Sequence, residues 1–176
     1  MQRLKRILIA TGIFLLVMLV IGFMLPHGWQ VERSIVIRAP AAVIFPHINT
    51  LKKWREWAVW YERHPDLLVE YSGPDSGVGA TSRWRDEDGR AAMKIMHSDR
   101  NQGVEYQVLI NAGASLIDGQ LTLMPEGSDT RVVWQVSGAS GTNPANRYFA
   151  LFLRYWIGKD LDASLQRLRQ KVEPKT

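Results

Sequence analysis

From Pro144 to Lys171 the chain reads PANRYFALFLRYWIGKDLDASLQRLRQK, and this stretch decides the fold. Leu151, Tyr155, Gly158, Leu161, Leu165, Leu168 and Val172 recur every three or four residues, which puts an apolar face on one long helix. Asn143 suits the N-cap, where a short polar side chain accepts from a free backbone N–H of the first turn. Pro144 suits the first helical position, where no N–H is needed. A helix with one apolar face must bury it against another layer.

That layer lies immediately upstream. Six strand-like stretches follow one another: Asp66–Ser72, Ala80–Asp86, Arg90–Ser98, Val104–Asn111, Leu116–Met124 and Thr130–Ser137. Turn chemistry separates them at Gly73–Gly79, Asp88–Gly89, Asn101–Gly103, Ala112–Ser115 and Glu126–Ser128. Further upstream, Val31–Arg38 alternates as a strand. A short helix is expected from Pro40 to about Ile48, with Pro46 kinking or ending it. Leu51–Trp60 reads as a second short helix or an irregular aromatic turn. The order predicts an α+β helix-grip fold: a curved antiparallel β-sheet wrapped around a long C-terminal α-helix.

Strand alternation sorts the side chains by face. Val132, Trp134 and Val136 share one face, as do Leu121 with Leu123, and Val104 with Tyr106, Val108 and Ile110. Met93, Ile95, Trp84, Val69 and Tyr71 complete the face expected to meet the helix, which offers Phe152, Tyr155, Trp156 and Leu161. Such a face either fills a packed core or leaves an apolar pocket. In the pocket reading the ligand-lining residues are Tyr71, Trp84, Met93, Ile95, Tyr106, Val108, Leu121, Trp134, Phe152 and Tyr155. Tyrosines would then supply the few polar tips. Trp54, Trp57, Trp60 and Tyr61 sit at about one-turn spacing and either seal the open end of the sheet or form a lid.

At the other end, Ile7–Leu25 reads ILIATGIFLLVMLVIGFML without a charge. Nineteen residues at about 1.5 Å each span about 28 Å, close to the ~30 Å hydrocarbon core of a bilayer. The run is long for a signal peptide, and Val20 and Gly22 make a poor cleavage site. Arg3, Lys5 and Arg6 precede it and no acidic residue occurs before Glu32, so the N-terminus is expected in the cytoplasm. The expected layout is a cytoplasmic end (1–6), a transmembrane helix (7–25), a linker (26–30), a domain (31–172) and a tail (173–176). This places a single-pass protein in the inner, cytoplasmic membrane with its domain on the periplasmic or extracytoplasmic side. Trp29 either anchors at the interface or packs on its own domain.

Composition narrows the chemistry. There are no cysteines, so disulfides, thiolate metal sites and cysteine nucleophiles are excluded. Setting aside the three N-terminal charges leaves 19 of the 22 basic residues against all 17 acidic ones, too balanced for a nucleic-acid footprint. His27, His47, His64 and His97 stand apart, in no metal-ligand spacing. No GxSxG elbow occurs. The glycine-rich loop Gly73–Gly79 joins two strands rather than opening a helix, so it is no phosphate cradle. Asp118 and Gln120 fall on the outward face. No cofactor is called for, and no residue is singled out for catalysis.

Four segments together carry a family resemblance: RSIVIRAPAAVIFPHINTLKKWREW (33–57), YSGPDSGVGATSRW (71–84), TRVVWQVSG (130–138) and GKDLDASLQRLRQ (158–170). In this order they resemble the SRPBCC superfamily, the START-like group that includes proteins named polyketide cyclase/dehydrase and lipid transport. The resemblance covers about Val31 to Val172. It implies an apolar cavity between sheet and helix, and activities ranging from lipid transfer to aromatase and cyclase chemistry. The expected function is a membrane-tethered domain that binds a hydrophobic small molecule or lipid. The alternatives are a cyclase-, aromatase- or hydrolase-type enzyme, and an envelope interaction protein with a filled cavity and unknown protein partners.

Overall fold

The computed structural model describes residues 2–86, 89–111 and 115–173. Helix α1 spans Gln2–Met24 and leads into strand β1, Gly28–Ile37. Helix α2 (Ala41–Asn49), a 3-10 turn (Leu51–Glu56) and helix α3 (Val59–Arg63) follow. Six strands come next: β2 (Val69–Ser72), β3 (Thr81–Asp86), β4 (Gly89–Asp99), β5 (Gly103–Ile110), β6 (Ser115–Glu126) and β7 (Asp129–Ala139). Helix α4 (Pro144–Val172) closes the chain. Residue 88 of the expected turn Asp88–Gly89, residues 112–114 of the turn Ala112–Ser115 and residues 174–176 of the tail lie outside the described residues.

The sheet is antiparallel throughout, in the order β1-β7-β6-β5-β4-β3-β2. Strands β2 to β7 lie side by side in sequence order. The first strand returns to pair with the last, so the segment from α2 to α3 must carry the chain from one edge of the sheet to the other. The α+β helix-grip architecture expected from the sequence is what the chain adopts.

Asn143 caps α4 as anticipated: its Oδ1 accepts from the Ala145 N–H at 2.9 Å, with Pro144 in the first turn. Pro46 does not end α2, which runs on to Asn49. The lost N–H costs one internal bond, and the carbonyls left over at the helix end find other donors. The Trp54 indole donates to the Ile48 carbonyl at 2.9 Å, and the Trp57 indole to the His47 carbonyl at 3.2 Å. Both rings are wholly buried. The packing role is thus the one Trp54 and Trp57 fill.

Strand β1 starts at Gly28, three residues ahead of the expected Val31, and absorbs much of the expected linker. Trp29 packs on Gly138 so closely that an added Cβ there would lie 2.8 Å from the indole. Its ring belongs to the domain.

The core lies between the concave face of the sheet, α2 and the second half of α4. Leu161, Leu165 and Leu168 of α4 meet Val132, Trp134 and Val136 of β7 in one buried cluster. Each such side chain contributes roughly 1.5–3 kcal/mol by leaving water. In α1, by contrast, Gly22 is the one buried residue. A core helix would be buried along a whole face, so α1 has the length, composition and exposure of a membrane anchor or signal sequence.

Candidate functional site

The apolar face of the sheet is not filled everywhere. Between it and α4 lies a cavity of about 260 Å³. Trp84, Met93, Tyr106, Val108, Ile117, Trp134 and Val136 line it from the sheet, and Ile157, Asp160 and Leu161 from α4. Trp60, His64 and Leu67 close one side. Usual small-molecule sites measure ~300–1,000 Å³, so this space suits a small apolar molecule or part of a longer chain. A wider groove of about 720 Å³ lies on the other side of Trp84, where Leu68, Ala91 and Ala92 share the lining with Asp66, Glu70, Arg83, Arg85 and Arg90.

A cluster of rings stiffens the inner wall. Trp54 stacks near Trp57 with centroids 4.9 Å apart and meets Tyr106 edge-on at 5.1 Å. Trp134 lies 5.4 Å from Trp57 and 5.9 Å from Trp60. Such pairs hold ring orientation beyond what burial alone provides. The Trp134 indole donates to the Tyr106 hydroxyl at 2.9 Å. Tyr106 lies over its cross-strand partner Gly119, where a Cβ would fall 2.0 Å from the phenol carbon Cζ. Only glycine leaves room for that ring. Burial pushes the Tyr106 phenol far above its ordinary range, so it stays protonated. It is a hydrogen-bonding tip rather than an acid or base at neutral pH.

Polar groups concentrate at the mouth. His64 is exposed there, and Asp160 is tied to Arg63, whose Nη1 donates to it at 2.9 Å. The rest of the 51–63 segment is fastened to α4 in the same way. Arg167 pairs with Glu62, Lys171 with Glu56 at 2.7 Å, and the Val59 N–H donates to Ser164 Oγ at 3.0 Å. These bonds hold the short helices and α4 as two jaws on either side of the opening.

Of the ten residues expected to line a pocket, Trp84, Met93, Tyr106, Val108 and Trp134 do so. Ile95 and Leu121 point to the same face but sit in the buried core with Ile44 and Ile48 of α2, away from the cavity lining. Tyr71 belongs to a separate cleft of about 50 Å³ with Leu51 and Pro74, because β2 is the far edge strand and the 3-10 turn covers it. Phe152 and Tyr155 are outside altogether and mostly exposed. At about 100° per residue they lie roughly 140–160° around the helix from Ile157, which does face the cavity. Trp156 is exposed with them. Ile117 and Ile157 were readable: Ile117 shares the alternation of Leu121 and Leu123, and Ile157 stands one turn before Leu161. Leu67 shares the alternation of Val69 and Tyr71, and Trp60 belongs to the aromatic group read as a seal or lid. His64 and Asp160 carry no such signal, since tertiary contact alone brings them to the mouth.

An apolar space between a bent antiparallel sheet and a long terminal helix defines the helix-grip class. Residues 28–173 match the family described as polyketide cyclase / dehydrase and lipid transport, and the chain belongs to that family. The SRPBCC resemblance read from the sequence is borne out. No match is found among curated proteins.

Solved structures with a similar fold include the Aha1 dimer from Colwellia psychrerythraea, at 19% identity and TM-score 0.57, covering 82% of this chain and 96% of that one. Another is the di-domain ARO/CYC BexL from the BE-7585A biosynthetic pathway, at 17% identity and TM-score 0.59, covering 85% of this chain and 52% of that one. DynU16, from the dynemicin biosynthetic locus, is similar at 13% identity and TM-score 0.54, covering 80% of this chain and 46% of that one. The chain thus spans about half the length of BexL and DynU16. At these identities the likeness is one of fold.

Proposed function

We propose that this chain is a membrane-tethered carrier or sensor domain that holds a small hydrophobic molecule, or the apolar end of a lipid, between its sheet and α4. The observation that carries this reading is the cavity itself. Its lining is apolar apart from Tyr106 inside and His64 with Asp160 at the mouth. That pattern suits a ligand with a greasy body and one polar end. The family description names polyketide cyclases and lipid transport, so polyketide-like molecules and lipids are the two ligand chemistries it supports.

Retention of α1 is supported by a contact the domain makes with it. Arg147 of α4 is 3% exposed and donates to the carbonyls of Gly22, Phe23 and Leu25 at 3.3, 2.8 and 3.1 Å. These are carbonyls that the end of a helix leaves without partners, and α1 has no basic residue of its own there. A buried arginine spent on a segment destined for removal would be left without those acceptors.

Native mass spectrometry of the full chain released from gentle detergent, with solvent extraction of the bound fraction, tests the carrier reading. Val108→Trp and Ile117→Trp fill the cavity from two strands. A co-purifying apolar molecule is expected at about one per chain, and either variant should lose it while keeping the wild-type circular dichroism spectrum. A chain that carries nothing, or equal cargo in both variants, contradicts the carrier reading.

A further inference from the structure

We propose that the first half of α4, residues 144–159, is itself a membrane-contact surface that lies in the outer part of the same bilayer as α1. This rests on the tether reading above and extends it to a second element.

The first half of α4 carries its largest apolar side chains outward. Phe149, Phe152 and Trp156 are 64%, 67% and 61% exposed, and Leu151 and Tyr155 are exposed beside them. On a helix of about 100° per residue these five cover an arc of about 160°, opposite the side on which Ala150, Gly158 and Leu161 are buried. A water-facing helix surface carries polar side chains at these places. An aromatic surface of this breadth on a soluble face marks a partner.

The partner follows from where α1 stands. The Tyr148 hydroxyl donates to the Met18 carbonyl at 2.6 Å, six residues before the end of α1, or about 9 Å along its axis. Pro144 and Tyr148 press against Gly22 so closely that an added Cβ would lie 2.7 Å from Pro144 Cβ. The opening turns of α4 therefore flank the last two turns of the apolar run. A bilayer that accepts α1 to Leu25 surrounds Tyr148 as well, and Leu151, Phe152 and Tyr155 continue from it on the next turns.

The composition matches that depth. Tyrosine and tryptophan favour the boundary between hydrocarbon and headgroups. Between Pro144 and Lys159 there is no acidic residue, and Arg154 and Lys159 supply the basic edge that interfacial helices carry toward anionic headgroups. Lys159 Nζ lies 4.6 Å from the Tyr155 ring centroid, at the end of the aromatic stretch. The first acid, Asp160, is at the cavity mouth. Ile157, next to Trp156, lines the cavity, so the surface holds that mouth at the edge of the bilayer.

The absence of cysteine permits single-cysteine labelling of the full chain without other changes. Phe152→Cys and Trp156→Cys report on α4, Leu15→Cys on α1, and Leu109→Cys on an exposed position of β5. Each carries an environment-sensitive fluorophore in vesicles of phosphatidylcholine and phosphatidylglycerol. Lipid-borne nitroxide should quench the 152 and 156 labels at least two-fold more than the 109 label, and aqueous iodide at least two-fold less. If iodide reaches 152 and 156 as it reaches 109 while Leu15 stays protected, this surface is refuted and the tether stands. If iodide also reaches Leu15, the tether and the surface fall together. Labels shielded from both quenchers would show a second copy or another protein on the face, which also overturns the proposal.

Discussion

The two halves of α4 belong to one unbroken helix and follow opposite rules. From Gly158 onward the apolar residues face the sheet and the charged ones face out, where Asp160, Asp162, Arg167 and Lys171 each pair with a residue of β1 or the 51–63 segment. Before Gly158 the largest apolar residues face out, and Ala150, Leu153 and Ile157 keep to the inner side. Among the described residues no ion pair involves residues 144–159, and the polar Arg147 is turned inward against α1. The second half obeys water and the first half does not. One helix can do this because 3.6-residue periodicity fixes which residues share a face but not which solvent that face meets.

The comparison breaks most visibly under core truncation. Leu165→Ala or Leu168→Ala should cost about 2–5 kcal/mol, since both side chains are almost fully buried. Phe152→Ala should stay within about 0.5 kcal/mol in detergent, although the side chain is larger. Denaturant midpoints of the full chain measure both. A Phe152 variant as costly as the leucines would put the first half in the core.

A smaller effect is expected at the junction. Arg147→Met leaves the α1 carbonyls without donors and should loosen that contact by about 1–3 kcal/mol. Faster proteolysis between residues 25 and 28, with an unchanged midpoint for the domain, is the expected signature. The ion pairs of the second half matter less still. Asp162→Asn, which unpairs Arg33 at 3.0 Å, should cost under about 1 kcal/mol and less again at high salt, because both partners are exposed.

The smallest effect is a slope with pH. Desolvation, helped by Lys53, holds His47 below its ordinary 6.5, and its Nδ1 is buried without a partner. Folded His47 therefore resists a proton that the unfolded chain accepts, so stability is full above 6.5 and declines as pH falls below it. Below 4.5 a further decline begins. Glu56, held low by its hydrogen bond to Lys171, and Glu173, held low by the Arg38 N–H, are then protonated first in the unfolded chain. Thermal melting from pH 7.5 to 3.5 reads both, and His47→Gln should remove only the upper part.

The fold was legible because its signals are local. Strand alternation, turn residues and the Asn143–Pro144 start of α4 each specify structure within a few residues. The cavity was half legible. Alternation puts Trp84, Met93, Tyr106, Val108 and Trp134 on the face that borders the cavity, but it does not tell an open stretch of that face from one that α2 fills, where Ile95 and Leu121 lie. Phe152 and Tyr155 misled for a different reason. An outward aromatic face imitates a buried one in sequence, and only the position of α1 tells them apart. Arg147 carries no local signal, because its three carbonyl partners lie more than 120 residues away.

The most direct measurement is a titration of an apolar fluorescent probe into the full chain in lipid nanodiscs, read by quenching of tryptophan emission from the rings around the cavity. Saturation at one probe per chain is expected, abolished by Val108→Trp and retained by Phe152→Ala. Quenching that never saturates, or that Val108→Trp leaves unchanged, would mean that the space beneath α4 admits no guest.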